Sequence, residues 1–230
     1  MVKFQQDNYK QMNKKEDKNE NVVIKRAEKR TSAILIDGVN LDRASRRLGK
    51  KIDFLHLIKT LSGGIAPIIA RYYSIIPYTD DARQLAFLQA VSKVGLSVIL
   101  KRLPPVGSER VISIDCEIAT DLISFAYGRN DLSSTVKFSN FNLEQLSQLA
   151  VGKVEPIKQI SQAHSADQNE KRSITLVCPS PDLSYPIALA GELGTETICA
   201  DFGPYGRAGI VSTAKRWIDL KDANNIWLTD

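Results

Sequence analysis

The chain has 230 residues and 43% of them are hydrophobic, which is enough for one ordinary globular core. No apolar run approaches the roughly 20 residues of a membrane span, and the polar N-terminus lacks the apolar segment of a signal peptide, so we expect a soluble cytoplasmic protein with no membrane partner. The net charge of +5 excludes no class of protein by itself. The three cysteines and two histidines are too scattered along the chain for a zinc finger or a histidine-based hydrolase.

The first 30 residues carry most of the net charge, with nine Lys and Arg against five Asp and Glu. Their polar composition predicts a disordered basic tail, which either stays solvated or binds nucleic acid. We expect the folded domain to cover residues 31–230.

Strands and helices alternate after this tail. The stretch "SAILIDGVN" predicts a short buried strand that ends at Asp37, and "NLDRASRRLGKK" predicts a helix from about Asn40 to Gly49. Three further stretches predict a helix, a strand and a helix in that order: "DFLHLIKTLS", "APIIARYYSII" and "DDARQLAFLQAVSKVG". The next strand is "LSVILKRLP". This alternation predicts an α/β fold with a mainly parallel sheet and helices on both faces.

The second half of the chain contains an interruption. "CEIATDLISFAYG" predicts a helix, and the polar residues 129–172 then form an insertion or flap. "SITLVCPSPDLSYPIALAGELG" restores a strand, a turn and a helix, with Asp182 just after the strand. "TETICADFG" predicts another strand, and "AGIVSTAKRWIDL" predicts a final helix.

Four acidic residues stand where a site could form. In parallel sheets the binding crevice lies beyond the carboxyl ends of the strands, where Asp37 and Asp182 are expected. Glu117 and Asp121 are four residues apart and share one helix face, where like charges repel by about 0.2–0.5 kcal/mol. They are either two solvated surface acids or a pair held by a cation or a cationic side chain.

Clustered carboxylates without histidine suit hard cations such as Mg²⁺ or Mn²⁺. Such an ion can polarise a phosphodiester and activate water, which implies hydrolysis of a nucleic-acid backbone. The spacing alone makes Asp37, Glu117, Asp121 and Asp182 candidates only, because any α/β domain has acids at its strand ends.

The stretch "LIDGVNLDRASRRLGKKIDFLHLIKTL" resembles the opening of the NYN domain family, in particular its LabA-like branch within the PIN-like nuclease superfamily. The resemblance continues through "ARYYSIIP", "GLSVILKRLP", "CEIATDLISFA", "ITLVCPSPDLSYPIALA" and "TAKRWIDL", over residues 32–222 with the insertion as an extra. It implies a PIN-like three-layer α/β/α sandwich and metal-dependent cleavage of RNA. The family's first acid and its asparagine match Asp37 and Asn40.

Two departures from the family pattern concern the site. The segment usually written Val-Asp-Val is Cys116-Glu117-Ile118 here, and the lysine that usually precedes it is missing. The Ser-Gly-Asp-Ser-Asp-Phe segment aligns with residues 178–183, where Ser180 replaces the first acid and Asp182 keeps the second. Losing a carboxylate should lower both metal affinity and water activation.

Two functions therefore stay open. In the first, the protein is a ribonuclease in which Asp37, Glu117 and Asp121 hold Mg²⁺ or Mn²⁺, Asp182 assists, and Asn40 orients a water or phosphate. In the second, a decayed PIN-like domain binds RNA or another protein. Basic residues near the site contact RNA phosphates in both cases, or simply form an exposed basic surface: Arg43, Arg46, Arg47, Lys50, Lys51, Lys101 and Arg102. A homodimer is a candidate assembly.

Overall fold

The computed structural model describes residues 29–79, 82–107, 109, 111–132, 170–203 and 212–228. Six strands are present in these ranges: β1 (Lys29–Asp37), β2 (Ile69–Ile76), β3 (Ser97–Arg102), β4 (Glu170–Val177), β5 (Glu196–Asp201) and β6 (Arg216–Asp219). They form one sheet in the order β3-β2-β1-β4-β5-β6, and every neighbouring pair is parallel. The predicted α/β fold with a parallel sheet is confirmed.

Helices connect these strands. They are α1 (Gly38–Leu48), α2 (Phe54–Ser62), α3 (Ala82–Lys93), α4 (Asp115–Ala126) and α5 (Ser184–Glu192), with 3₁₀ turns at Pro181–Leu183, Leu220–Asp222 and Asn224–Ile226. The side chains of Asp37 and Asp53 cap the N-termini of α1 and α2 by accepting backbone N–H groups. Helix α1 ends at Gly49, whose φ of 63° lies in the left-handed region that glycine adopts without strain.

The sheet is covered by helices on both faces. Side chains alternate along each strand, so Ile34 and Ile36 join one core with α1, α2 and α3, while Leu35 joins the other core with α4 and α5. Tyr72 and Tyr73 are consecutive and enter opposite cores, where both are buried. The three-layer sandwich expected from the sequence is confirmed.

An ionic network lies at the amino end of β4. Glu170 accepts a hydrogen bond from the Thr31 hydroxyl and forms ion pairs with Arg172 and Lys29, at 3.0 and 3.4 Å. The hydrogen bond from Thr31, supported by these cations, lowers the pKa of Glu170 despite the opposing effect of burial. Arg172 also donates to backbone carbonyls of Phe125 and Arg129, so the network ties β4 to the end of α4.

Some sequence-based expectations differ from the structure. The helix predicted over "AGIVSTAKRWIDL" is wrong at Arg216–Asp219, which form β6 and pair with β5. Strand β1 begins at Lys29, inside the segment assigned to the tail. The tail up to residue 28, the acidic pair at 80–81 and residues 133–169 of the insertion lie outside the described residues.

The strand order places a crevice at the carboxyl edge of the sheet. From β1 the chain proceeds to β2 and β3 on one side, and β4, β5 and β6 extend the sheet on the other side. In such sheets the point where the order reverses, here between β1 and β4, is the usual ligand site. Within the described ranges, none of the helices is both long and apolar enough to span a lipid bilayer.

Candidate functional site

Asp37 ends β1 at this reversal point, and its residue surface is 3% exposed. The backbone N–H of Asn40 donates to one carboxylate oxygen at 2.9 Å, and Asn40 Nδ2 donates to the other at 2.7 Å. Asp37 is therefore the N-cap of α1, which begins two residues before the predicted start at Asn40. The N-terminus of the helix also carries the positive end of its dipole, where a negative charge is stabilising.

The packing around Gly38 explains why a glycine follows Asp37. A Cβ atom at this position would lie 2.3 Å from Cζ of Tyr72 and 2.5 Å from the backbone oxygen of Tyr73. The start of α1 packs so closely on β2 that no side chain fits, and this contact fixes the direction in which the helix leaves Asp37. The glycine is thus required by packing.

Glu117 lies in the first turn of α4 and faces β3. Its Oε1 forms an ion pair of 2.8 Å with Lys101 Nζ, which also donates to the backbone oxygen of Ser113. Its Oε2 is buried and accepts no hydrogen bond in the part of the chain that the structure describes. A buried carboxylate oxygen without a donor or cation is costly. Lys101, expected to contact phosphate, instead neutralises this acid.

Asp121 lies one turn further along α4 and belongs to a buried network. Its Oδ2 accepts hydrogen bonds from Arg71 Nη1 and from the Tyr73 hydroxyl, both at 2.5 Å. The Arg71 side chain is 5% exposed and also donates to the backbone oxygen of Leu132. Burial, reinforced by the charge of Asp121, raises the pKa of Tyr73 well above its ordinary value, so the hydroxyl remains a donor. Glu117 and Asp121 are therefore not held by one shared cation. Glu117 pairs with Lys101, and Asp121 pairs with Arg71.

Asp182 stands on the 3₁₀ turn between β4 and α5 and is exposed. Ser180, which replaces a family acid, caps this turn by accepting a hydrogen bond from the Asp182 backbone N–H at 3.3 Å. Two residues before Ser180, the backbone of Cys178 has a φ of 53°, which lies in the left-handed region and is unfavourable for a residue other than glycine. Such strained backbone is often found at functional sites.

Asp201 is a site candidate that the sequence reasoning missed. It ends β5 at the same edge and is 6% exposed. Its Oδ1 accepts hydrogen bonds from the Phe202 backbone N–H at 2.7 Å and from Cys178 Sγ at 3.4 Å. The signal was present, since "TICADFG" repeats the pattern of Asp37, an apolar strand followed by an acid.

The fold brings the elements that carry these acids together. Helix α4 contacts both β1 and the 3₁₀ turn of Asp182. Asp37 pairs in register with Tyr73, whose hydroxyl reaches Asp121. Across the described residues, however, no three His, Cys, Asp or Glu side chains come close enough together to hold a metal ion. The acids share an edge without forming a three-ligand group.

The basic residues of α1 are exposed beside Asp37. Arg43 Nη1 donates to Asn40 Oδ1 at 3.2 Å, Arg46 forms an ion pair of 2.8 Å with Asp42, and Arg47 is exposed. At the end of β3, Arg102 Nη1 donates to the backbone oxygens of residues 77 and 78. These arginines give the helix that follows Asp37 an exposed basic surface.

Comparisons with known proteins bear on this site. The NYN domain model matches residues 31–141. This match supports membership of the NYN family. The matched residues include Asp37, Asn40, Glu117 and Asp121. No curated protein sequence matches the chain significantly.

A similar fold is found in a solved structure. It is the crystal structure of a protein of unknown function from Vibrio parahaemolyticus RIMD 2210633, with a TM-score of 0.60 and 16% sequence identity. The alignment covers 89% of this chain and 100% of that one. At this identity the similarity shows the α/β fold alone.

Proposed function

We propose that the protein is a divalent-metal-dependent ribonuclease that hydrolyses RNA phosphodiester bonds at the carboxyl edge of the sheet. The placement of Asp37 carries this proposal. It is a buried carboxylate at the end of the central strand, beside the reversal point, within the segment that matches the NYN model. The LabA-like branch, inferred from the motifs of the sequence, is part of the same proposal.

The donor set fits a hard cation bound through few protein ligands. Glu117 Oε2 is a buried oxygen without a hydrogen bond in the described residues, and a cation would satisfy it. Mg²⁺ commonly uses one or two carboxylates together with waters and substrate phosphates, so a three-carboxylate group is not required. We propose that Asp37 and Glu117 hold Mg²⁺ or Mn²⁺, with Asp182 approaching from its exposed turn.

The other polar residues have positioning roles in this proposal. Asn40 donates to both oxygens of Asp37 and fixes the orientation of the carboxylate. Asp121 is engaged by Arg71 and Tyr73, so we assign it to the network that fixes α4 rather than to the metal. When bound, a divalent ion would polarise the phosphodiester and lower the pKa of a bound water.

RNA is the proposed substrate because of the family and the charge beside Asp37. The exposed Arg43, Arg46 and Arg47 would contact phosphates as the chain passes α1. The cytoplasmic location and the homodimer remain predictions.

Replacement of Asp37 tests the proposed function. Asparagine caps helices nearly as well as aspartate, so Asp37→Asn should keep the fold, at a cost of about 1 kcal/mol for the lost bond from Asn40 Nδ2. We expect Mn²⁺-dependent cleavage of a mixed single-stranded RNA to disappear in this variant. The matched control is Asp53→Asn, which makes the same change at the N-cap of α2. Equal cleavage by Asp37→Asn and wild type would refute the assignment.

A specific observation favours the alternative of an RNA-binding or protein-interaction module. Lys101 neutralises Glu117, Arg71 neutralises Asp121, and Ser180 replaces an acid. These features reduce the negative charge available to a metal. The alternative predicts that wild-type protein binds RNA but neither cleaves it nor responds to Mn²⁺.

A further inference from the structure

A cavity of about 600 Å³ lies between α1, β2 and α3, next to Asp37. Ligand sites in proteins typically have volumes of about 300–1,000 Å³, so a mononucleotide unit fits this size. Gly38 lines the cavity and is also the residue after Asp37. The cavity therefore adjoins the proposed reaction site directly.

One wall of the cavity is aromatic. The Phe87 residue surface is 43% exposed although its ring packs on the partly buried Phe54 and the buried Tyr72, with centroids 5.9 Å from Phe54 and 6.1 Å from Tyr72. Tyr72 and the half-exposed Leu103 line the same space. A ring fixed by packing on one side and open on the other is a suitable platform for stacking a planar group.

The remaining lining residues are mainly polar and include two arginines, Arg46 and Arg83, against one acid, Asp42. By formal charge these lining residues carry one more cation than anion, and Asp42 is paired with Arg46 at 2.8 Å. Gln84 lines the cavity as well and donates to the backbone oxygen of Ile75 at 3.0 Å. Aromatic surface interleaved with cations is the combination that binds single-stranded nucleic acids through base stacking and phosphate contacts.

We propose that this cavity holds one nucleobase of a single-stranded RNA, stacked on Phe87, while the adjoining backbone passes Asp37 at the N-terminus of α1. The choice of RNA rests on the proposed function. The cavity would then select unpaired RNA, because a base within a duplex cannot leave its stack without an energetic cost.

Binding measured without metal separates this inference from catalysis. The full chain is titrated in EDTA against two fluorescein-labelled probes by anisotropy: a single-stranded oligouridine of about twelve nucleotides, and an abasic strand of the same length and charge. Phe87→Ala should weaken binding of the oligouridine about tenfold, as expected for one lost stacking contact, and leave binding of the abasic strand unchanged. Phe87→Tyr, which keeps the ring, should bind within about twofold of wild type.

A control variant keeps the test decisive. Tyr127→Ala removes an exposed aromatic residue at the end of α4 and serves as the matched control, with no expected effect.

The inference is overturned if Phe87→Ala binds oligouridine as wild type does, or if it loses affinity equally for the abasic strand. It is also overturned if wild type binds both probes equally. A protein that shows the Phe87 effect in EDTA but never cleaves RNA would support the base site and refute the nuclease. A protein that cleaves RNA, but whose oligouridine binding is unchanged in Phe87→Ala, would support the nuclease and refute the base site.

Discussion

The ion pair between Arg71 and Asp121 supports a quantitative prediction. The two side chains are 5% and 15% exposed, and Arg71 is also the donor to the backbone oxygen of Leu132. Breaking a buried ion pair by removing one partner costs about 3–5 kcal/mol. In Arg71→Met, Asp121 would keep its hydrogen bond from Tyr73 and its partial exposure to solvent. We therefore expect the loss of unfolding free energy to lie at the lower end of this range, about 3 kcal/mol.

Urea denaturation followed by circular dichroism measures this loss, and for a chain of this size it corresponds to a fall of roughly 6–12 °C in Tm. Arg47→Met is the control, since an exposed arginine should change the unfolding free energy by about 0.5 kcal/mol or less. The double variant Arg71→Met with Asp121→Leu should be more stable than Arg71→Met alone, because it leaves no buried charge unpaired. A loss below about 1 kcal/mol in Arg71→Met, or a double variant less stable than the single one, would refute this reasoning.

Three further perturbations test other parts of the structure. Gly38→Ala should destabilise the fold by about 2 kcal/mol in urea denaturation because its Cβ meets backbone and ring atoms, whereas Gly191→Ala, with open space around its Cβ, should be neutral or stabilising. The pKa of Glu170 is lowered in the folded state, so ionised Glu170 stabilises the fold at pH values above the ordinary pKa of 4.5. This stabilisation is lost as the pH falls through the folded-state pKa. The difference in unfolding free energy between wild type and Glu170→Gln should therefore shrink between pH 7 and pH 3. Lys101→Met should raise Mn²⁺ affinity at least about fivefold in calorimetry by freeing Glu117, and an unchanged or lower affinity would contradict a metal at that carboxylate.

Much of the fold could be predicted from local patterns. Buried strands such as the one ending at Asp37 are continuous apolar runs, and helices such as α2 carry their own caps in Asp53 and Gly63. Strand β6 could not be predicted in this way. It has only four residues, and the apolar spacing around Trp217 and Ile218 also suits a helix, so pairing with β5 decides its structure.

The site was predictable only in its placement. An acid after an apolar strand locates Asp37 at the edge of the sheet, and the same rule would have located Asp201. What the sequence does not contain is the partner of each acid. Arg71 is 50 residues from Asp121, and its side chain reaches the acid only because β2 lies beneath α4. Long-range contacts of this kind decide whether a carboxylate is available to a metal.

A calorimetric titration of Mn²⁺ into wild type, Asp37→Asn and Asp53→Asn tests the proposed metal site most directly. A site at Asp37 predicts binding to wild type and to Asp53→Asn, and loss of the binding heat in Asp37→Asn. Absence of binding to folded wild type, or equal binding to Asp37→Asn, would contradict a metal site at the carboxyl end of β1.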